Sequence, residues 1–223
     1  MTQRLSNIFK KGWRVQINLE PNAKRLFVVI MMTMAFVAKA IPALAAEETA
    51  AERALRIQAE RAIHAVRFQQ NMESLTPELR SFVQELQKAV QADVAAGTCT
   101  PGPTTLCALG GKYRIDVNWS IGKDPGQMGA GQAIPITLLD GKAVNGGNFW
   151  FFDETNPEML AKMVDGCALG GHYWVFFSAT TNVAFWIQFT DIAGSDSRSW
   201  VNPLGNPAPP VQDTSAFSCP APP

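Results

Sequence analysis

Acid–base chemistry in this chain would have to run through two histidines and a few grouped carboxylates. His172 opens the stretch HYWVF, Asp153 and Glu154 follow the aromatic run FWFF, and Asp165 sits in an Asp-Gly pair. Two carboxylates beside a histidine are the raw material of general acid–base hydrolysis, including glycoside hydrolysis. A secreted hydrolase using Asp153 or Asp165 near His172 is therefore the alternative reading of this chain. Neighbouring residues on a strand end point to opposite faces, however, so Asp153 and Glu154 read better as caps of a short helix expected over 156–163. No nucleophile motif accompanies His172, and Lys112 takes its place in an internal repeat, which marks a tolerant polar position at a turn. His64, between Arg61 and Arg67, reads as a surface residue of a helix. The loop carrying Asp191, Ser195 and Asp196 lacks the ligand alternation and terminal glutamate of a calcium loop and reads as a hairpin connection. No catalytic, cofactor-binding or metal-binding residue is assigned.

The four cysteines carry a different message. Cys99, Cys107, Cys167 and Cys219 form no CxxC pair and have no histidine cluster beside them, which argues against zinc. Four cysteines allow three connectivities. Cys99 with Cys107 and Cys167 with Cys219 is the expected set, because the first closes a Pro-rich turn and the second fastens the Pro-rich tail to the second repeat. The alternative Cys107–Cys167 bond would join equivalent corners of two half-domains. Either set requires an oxidising compartment.

An N-terminal segment fits that requirement. An apolar run over 26–38 follows six basic residues and precedes Ala43-Leu44-Ala45, the layout of a signal peptide occupying 1–45. Left uncleaved, the apolar stretch would be just long enough to anchor the chain in a membrane. Cleavage makes the chain secreted or periplasmic, and no cysteine follows the cleavage region, so it is not expected to be a lipoprotein. Cleavage also changes the charge. The formal net charge of zero becomes −6, with 12 Lys and Arg against 18 Asp and Glu, and an acidic chain without a basic stripe is a poor partner for nucleic acid.

These residues must be positioned by two kinds of element. The segment 46–97 is rich in Ala, Glu, Arg, Gln and Leu and predicts two helices broken near 74–77, with Thr76 as N-cap and Pro77 at the first helical position. Leu55, Ala59, Ala62 and Val66 form one narrow stripe, and Leu79, Val83, Leu86 and Val90 another. Such stripes must be covered, by each other, by the rest of the chain, or by self-association through the helices. After Gly97 the composition turns to Gly, Pro, Thr, Asn, Phe and Trp, which opens a β-domain over 98–223 ending in a Pro-rich tail. Strands are expected over 112–119, 133–139, 148–152, 173–179, 183–190 and 198–201. The phrases CALGGKYRIDVNW from Cys107 and CALGGHYWVFFSA from Cys167 repeat one another, so two half-domains start with the same Gly-Gly turn.

Phe149 to Phe152 are consecutive aromatics, and Tyr173 to Phe177 put aromatics on both sides of a strand. Two-sided aromatic strands are read as central strands covered on both faces. If one face is open, Trp150 and Trp174 mark a possible binding surface for sugars, peptides or another chain.

The succession LCALGGKYRIDVNW, GNFWFFDETNPEMLAKMVDGCALGGHYWVFFSATTNV, FTD, VNPLG and DTSAFSCP resembles a recurrent domain of exported bacterial proteins with no known activity. The resemblance covers nearly all of 99–220 and carries no catalytic residue across; the helical segment lies outside it. The expected protein is mainly β: a disulfide-linked antiparallel sandwich or barrel-like domain with one short helix, preceded by two helices. Its expected role is an exported, non-enzymatic binding or assembly module for an extracellular or periplasmic ligand or protein.

Overall fold

Alternating inward and outward side chains build the framework. A computed structural model describes residues 48–220 apart from 123 and 125. Sheet 1 runs β1 (Thr105–Ala108), β2 (Tyr113–Ser120), β8 (Ala184–Asp191) and β9 (Asp196–Asn202), with β3 (Met128–Ala130) paired to β2 beyond the end of β1. Sheet 2 runs β10 (Val211–Ser218), β7 (His172–Ala179), β6 (Met159–Gly166), β5 (Ala143–Trp150) and β4 (Gln132–Thr137). All pairings are antiparallel, and the two sheets do not close into a barrel. Ile115, Val117 and Phe189 from sheet 1 interleave with Phe149, Met163 and Val175 from sheet 2, all at most 2% exposed. The chain changes sheets at Gly131, where a Cβ would lie 3.2 Å from both Phe151 and Val117; only glycine leaves the core undisturbed there.

Both disulfides match the expected pairing, Cys99–Cys107 and Cys167–Cys219, each with its Cα atoms 5.8 Å apart. The repeated phrase acquires a structural meaning here. Each copy opens a strand of a different sheet, β2 in one and β7 in the other. In each copy the partner cysteine donates its backbone N–H to the second glycine of the turn: Cys99 to Gly111 O and Cys219 to Gly171 O, both at 2.9 Å. The two half-domains thus begin at equivalent disulfide-fastened corners.

The expected short helix is misplaced. The segment 156–163 contributes no helix; β6 occupies Met159–Gly166, and the short helix is α3 (Cys167–Gly170). Leu, Ala, Lys and Met favour helix intrinsically, but Met159, Ala161 and Met163 alternate into the core between two strands, and that packing overrides propensity. Within the Pro-rich tail, β10 adds a further strand that buries Ala216 and Phe217.

α1 (Ala50–Ser74) and α2 (Pro77–Ala96) form as expected, with the Thr76 hydroxyl accepting from Leu79 N and Gly97 ending α2 in the left-handed conformation at φ 71°. Both lie on the outer face of sheet 1, α1 along β9 and α2 across β2. They cover a largely polar face. Arg114, Asp116, Gln188, Thr190 and Ser199 are buried there together with Trp186, which Phe68 meets edge-on at 5.0 Å. α2 docks with Leu79, Val83 and Val90, whereas α1 docks with Ile57, His64, Phe68 and Met72 and leaves Leu55 and Val66 65% and 58% exposed. From Ala50 onward, helices and sandwich form one compact unit. The expected signal segment lies outside the described residues, and no described helix is long and apolar enough to cross a membrane.

Candidate functional site

The carboxylates named as acid–base candidates are scattered. Asp153 is exposed and accepts from Thr155 N at 2.8 Å and Thr155 Oγ1 at 2.6 Å, bonds that hold its carboxyl below the usual range. Glu154 is exposed beside it. Asp165 accepts from Cys167 N at 3.0 Å and so shapes the corner at α3. His172 stands opposite Gly166, one position from Asp165 in register, but its ring engages other groups, with Nδ1 2.7 Å from Gly170 O and Nε2 3.9 Å from Glu60 Oε2. Asp153 lies near the Met159 end of β6 and His172 opposite Gly166 at the other end, roughly 20 Å away at about 3.3 Å per residue. Asp153 is thus remote from His172, and Asp165, though beside it in register, is engaged by Cys167 N with no bond to the imidazole, so the hydrolase reading gains no support.

The partner of His172 comes from a helix that sequence reasoning did not connect to it. Glu60 of α1 accepts a hydrogen bond from the Ser218 hydroxyl and pairs with Arg56 at 2.9 Å. Serine, glutamate and histidine are together, but the carboxylate stands between the other two. A triad needs the imidazole in that place to take the serine proton. Burial raises the Glu60 carboxyl, but the hydrogen bonds from Ser218 and Arg56 outweigh it and hold the group low, which makes a poor base. The cluster is a clamp between α1 and β10. His64, expected on the surface, is half-buried in the same seam, and burial together with Arg198 and Arg67 pushes its pKa down.

Beside this clamp lies a cleft of about 380 Å3, between the first half of α1 and the end of the sandwich that carries both repeat corners. Its floor holds Tyr113 and Tyr173, the residues that follow Lys112 and His172 in the two copies of the repeat, with ring centroids 5.3 Å apart. Burial, reinforced by the nearby Asp191, pushes the Tyr113 hydroxyl up, so it stays protonated.

The aromatic strands are covered on one side only. Phe149, Phe151, Tyr173 and Phe177 point into the core, while Trp150, Trp174 and Phe176 lie half-buried on the outer face of sheet 2, over which no described element packs. Coverage of both faces is therefore not what the structure has. Trp150 and Trp174 share that face without forming one pair: Trp150 is at the Met159 end of β6 and Trp174 opposite Val164, roughly 15–20 Å along the strands. Trp174 lies over Gly166, where a Cβ would come within 2.2 Å of the ring, and its Nε1 is buried without a partner among the described residues. Phe176 meets Trp174 edge-on at 6.3 Å, and Lys162 Nζ stands 5.5 Å from the Phe176 centroid. A shallow groove of about 240 Å3 continues past Leu160, Lys162, Phe176 and Ser178 to Gln212. The one described group of clustered metal-type side chains, Asp165 with Cys167 and Cys219, has both sulfurs locked in a disulfide and is not a ligand set. No protein-family model, curated protein or solved structure matches this chain.

Proposed function

We propose that this chain is an exported, non-enzymatic binding module working in the periplasm or outside the cell, and that it contacts its ligand or partner protein through the outer face of sheet 2 around Trp174 and Phe176. One observation carries the reading: the helices cover the polar outer face of sheet 1, while the aromatic outer face of sheet 2 is left open. Apolar surface left in water costs about 25 cal/mol per Å2, so a fold that shields polar strands and exposes Trp, Phe and Leu retains that surface for a contact. Leu160 is 43% exposed in the middle of this face. The two disulfides require an oxidising compartment, which supports export. A photoreactive benzoylphenylalanine placed at Leu160 should crosslink a discrete adduct in the producing cell, and the same probe at Gln84 on the solvent side of α2 should not. The adduct should vanish when Trp174→Asp is added. No adduct at Leu160, or equal adducts at both positions, would remove the basis for this reading.

A further inference from the structure

We propose that the cleft over Tyr113 and Tyr173 is a second binding site, distinct from the open face of sheet 2, and that it takes a small organic carboxylate with a compact apolar body. The acids around it are already engaged. Asp191 Oδ1 accepts from Ala193 N and Gly194 N, both at 3.1 Å, Glu60 accepts from Ser218, and Asp196 pairs with Arg198 at 2.6 Å. Apart from the second oxygen of Asp191, the uncommitted groups can all donate. The Lys112 ammonium and the hydroxyls of Tyr113 and Tyr173 make no hydrogen bond or ion pair among the described residues, and Arg61 reaches Asp196 only at 3.8 Å.

Both tyrosines are more than nine-tenths buried, at 2% and 7% exposure, yet line the cleft. The rings are buried but the hydroxyls are not among the buried polar atoms that lack a partner, so both open onto the cleft, where one ligand oxygen can accept a hydrogen bond from each. One full negative charge suits two cations at the rim, Arg61 and Lys112, set against the nearby Asp191 carboxylate. A phosphate, with its second charge, would meet Asp191, Glu60 and Asp196 at close range. Ile57, the tyrosine rings and Pro220 supply the apolar wall for the rest of the molecule. The arrangement also gives the internal repeat a purpose, since its two copies deliver the paired tyrosines and Lys112 to one place.

The test is calorimetric titration of the purified full chain with benzoate, cyclohexanecarboxylate and 3-phenylpropionate against their primary amides. At least one acid should bind with a Kd of about a millimolar or below, and its amide should bind about tenfold more weakly or worse. Tyr113→Phe and Lys112→Gln should each weaken the acid by about threefold or more, and the double change Tyr113→Phe with Tyr173→Phe by about tenfold or more. Circular dichroism checks that each variant is folded. Should the double variant fail to fold, Lys112→Gln, a change at an exposed position, decides alone. No binding by any acid, equal binding of acid and amide, or unchanged binding in Lys112→Gln would overturn the proposal. Trp174→Ala should leave acid binding intact; its loss there would move the site to the open face and overturn the cleft, whereas failure of the crosslinking experiment leaves the cleft untouched.

Discussion

Arg114 is the residue on which the seam between α2 and sheet 1 turns. Its guanidinium binds Asp116 at 2.7 and 2.9 Å, Asp93 of α2 at 2.7 Å and the Thr105 hydroxyl at 2.9 Å, all within a region at most 6% exposed. Burial would raise the Asp93 carboxyl, but hydrogen bonds from Arg114 and from Thr100 N outweigh it and hold the group below its ordinary value of 3.8. A carboxyl lowered on folding contributes stability that is present above its unfolded pKa and lost as the pH falls through its folded one. Asp93→Asn should therefore cost about 1–3 kcal/mol at neutral pH, the range for a hydrogen bond to a charged group. The gap to the parent should begin to narrow as the pH falls below 3.8 and close only below the lowered folded pKa, where both chains carry a neutral side chain. Urea unfolding at several pH values measures it; a gap that stays constant through the acid range would show that the charge of Asp93 is irrelevant. None of this network was legible in the sequence. Arg114 and Asp116 alternate with Tyr113, Ile115 and Val117 and read as a polar face toward water, because strand periodicity reports which residues share a face and is silent about what covers it. The Glu60–Ser218 clamp was hidden for the same reason, its partners being 158 positions apart in sequence. The disulfide pairing was readable because each bond fastens a chain segment to a Gly-Gly corner that the sequence marks twice.

Among the elements, α1 departs furthest from its expected placement. Its apolar stripe, Leu55, Ala59, Ala62 and Val66, faces solvent, and its contact face includes Glu60, His64 and Asn71, whose Nδ2 donates to Ser199 O at 2.8 Å. A polar strand face is most readily covered by a helix face that can hydrogen-bond to it, so hydrophobic spacing alone picked the wrong side of this helix. α2 obeys its pattern, since Leu79, Val83 and Val90 meet Trp186 and the sheet beneath. The two stripes should thus respond oppositely to charge. Leu86→Asp with Val90→Asp buries a carboxylate under α2 and should lower stability by about 3 kcal/mol or more. Leu55→Asp with Val66→Asp should leave it within about 0.5 kcal/mol, as expected of exposed sites. Any self-association through the helices would have to use that second stripe, because the first is covered within the chain. Chemical denaturation separates the pairs; comparable losses would mean that α1 is seated with its apolar stripe inward. The strands themselves were legible wherever alternation met a turn signal, at β2, β7 and β8. β6 escaped because its residues favour helix in isolation, and only β5 and β7 on either side hold it extended.

At the scale of the whole molecule, the composition break at Gly97 looks like a domain boundary and does not act as one. The helical segment 46–97 and the β-domain 98–223 differ sharply in residue types, yet from Ala50 the chain is one compact unit. The reason is what lies beneath the helices. Trp186 is fully buried between sheet 1 and Phe68, Leu79 and Val83, and Gln87 of α2 exchanges hydrogen bonds with Gln188 at 2.8 and 3.4 Å. Removing the helices would return an indole of roughly 150–250 Å2 to water, about 4–6 kcal/mol at 25 cal/mol per Å2, and would strip Arg114 of Asp93. A total stability of about 5–15 kcal/mol for a domain leaves little after such a loss. The fragment beginning at Cys99 should therefore keep its strands and both disulfides but lose cooperative unfolding and bind hydrophobic dyes, and a peptide spanning 48–97 added in trans should restore a sharp transition. Near-ultraviolet circular dichroism, to which the buried Trp186 contributes, gives the reading. A fragment that melts as sharply and as late as the full chain would show that the sandwich stands alone and that the helices are an appendage, free to serve a separate contact.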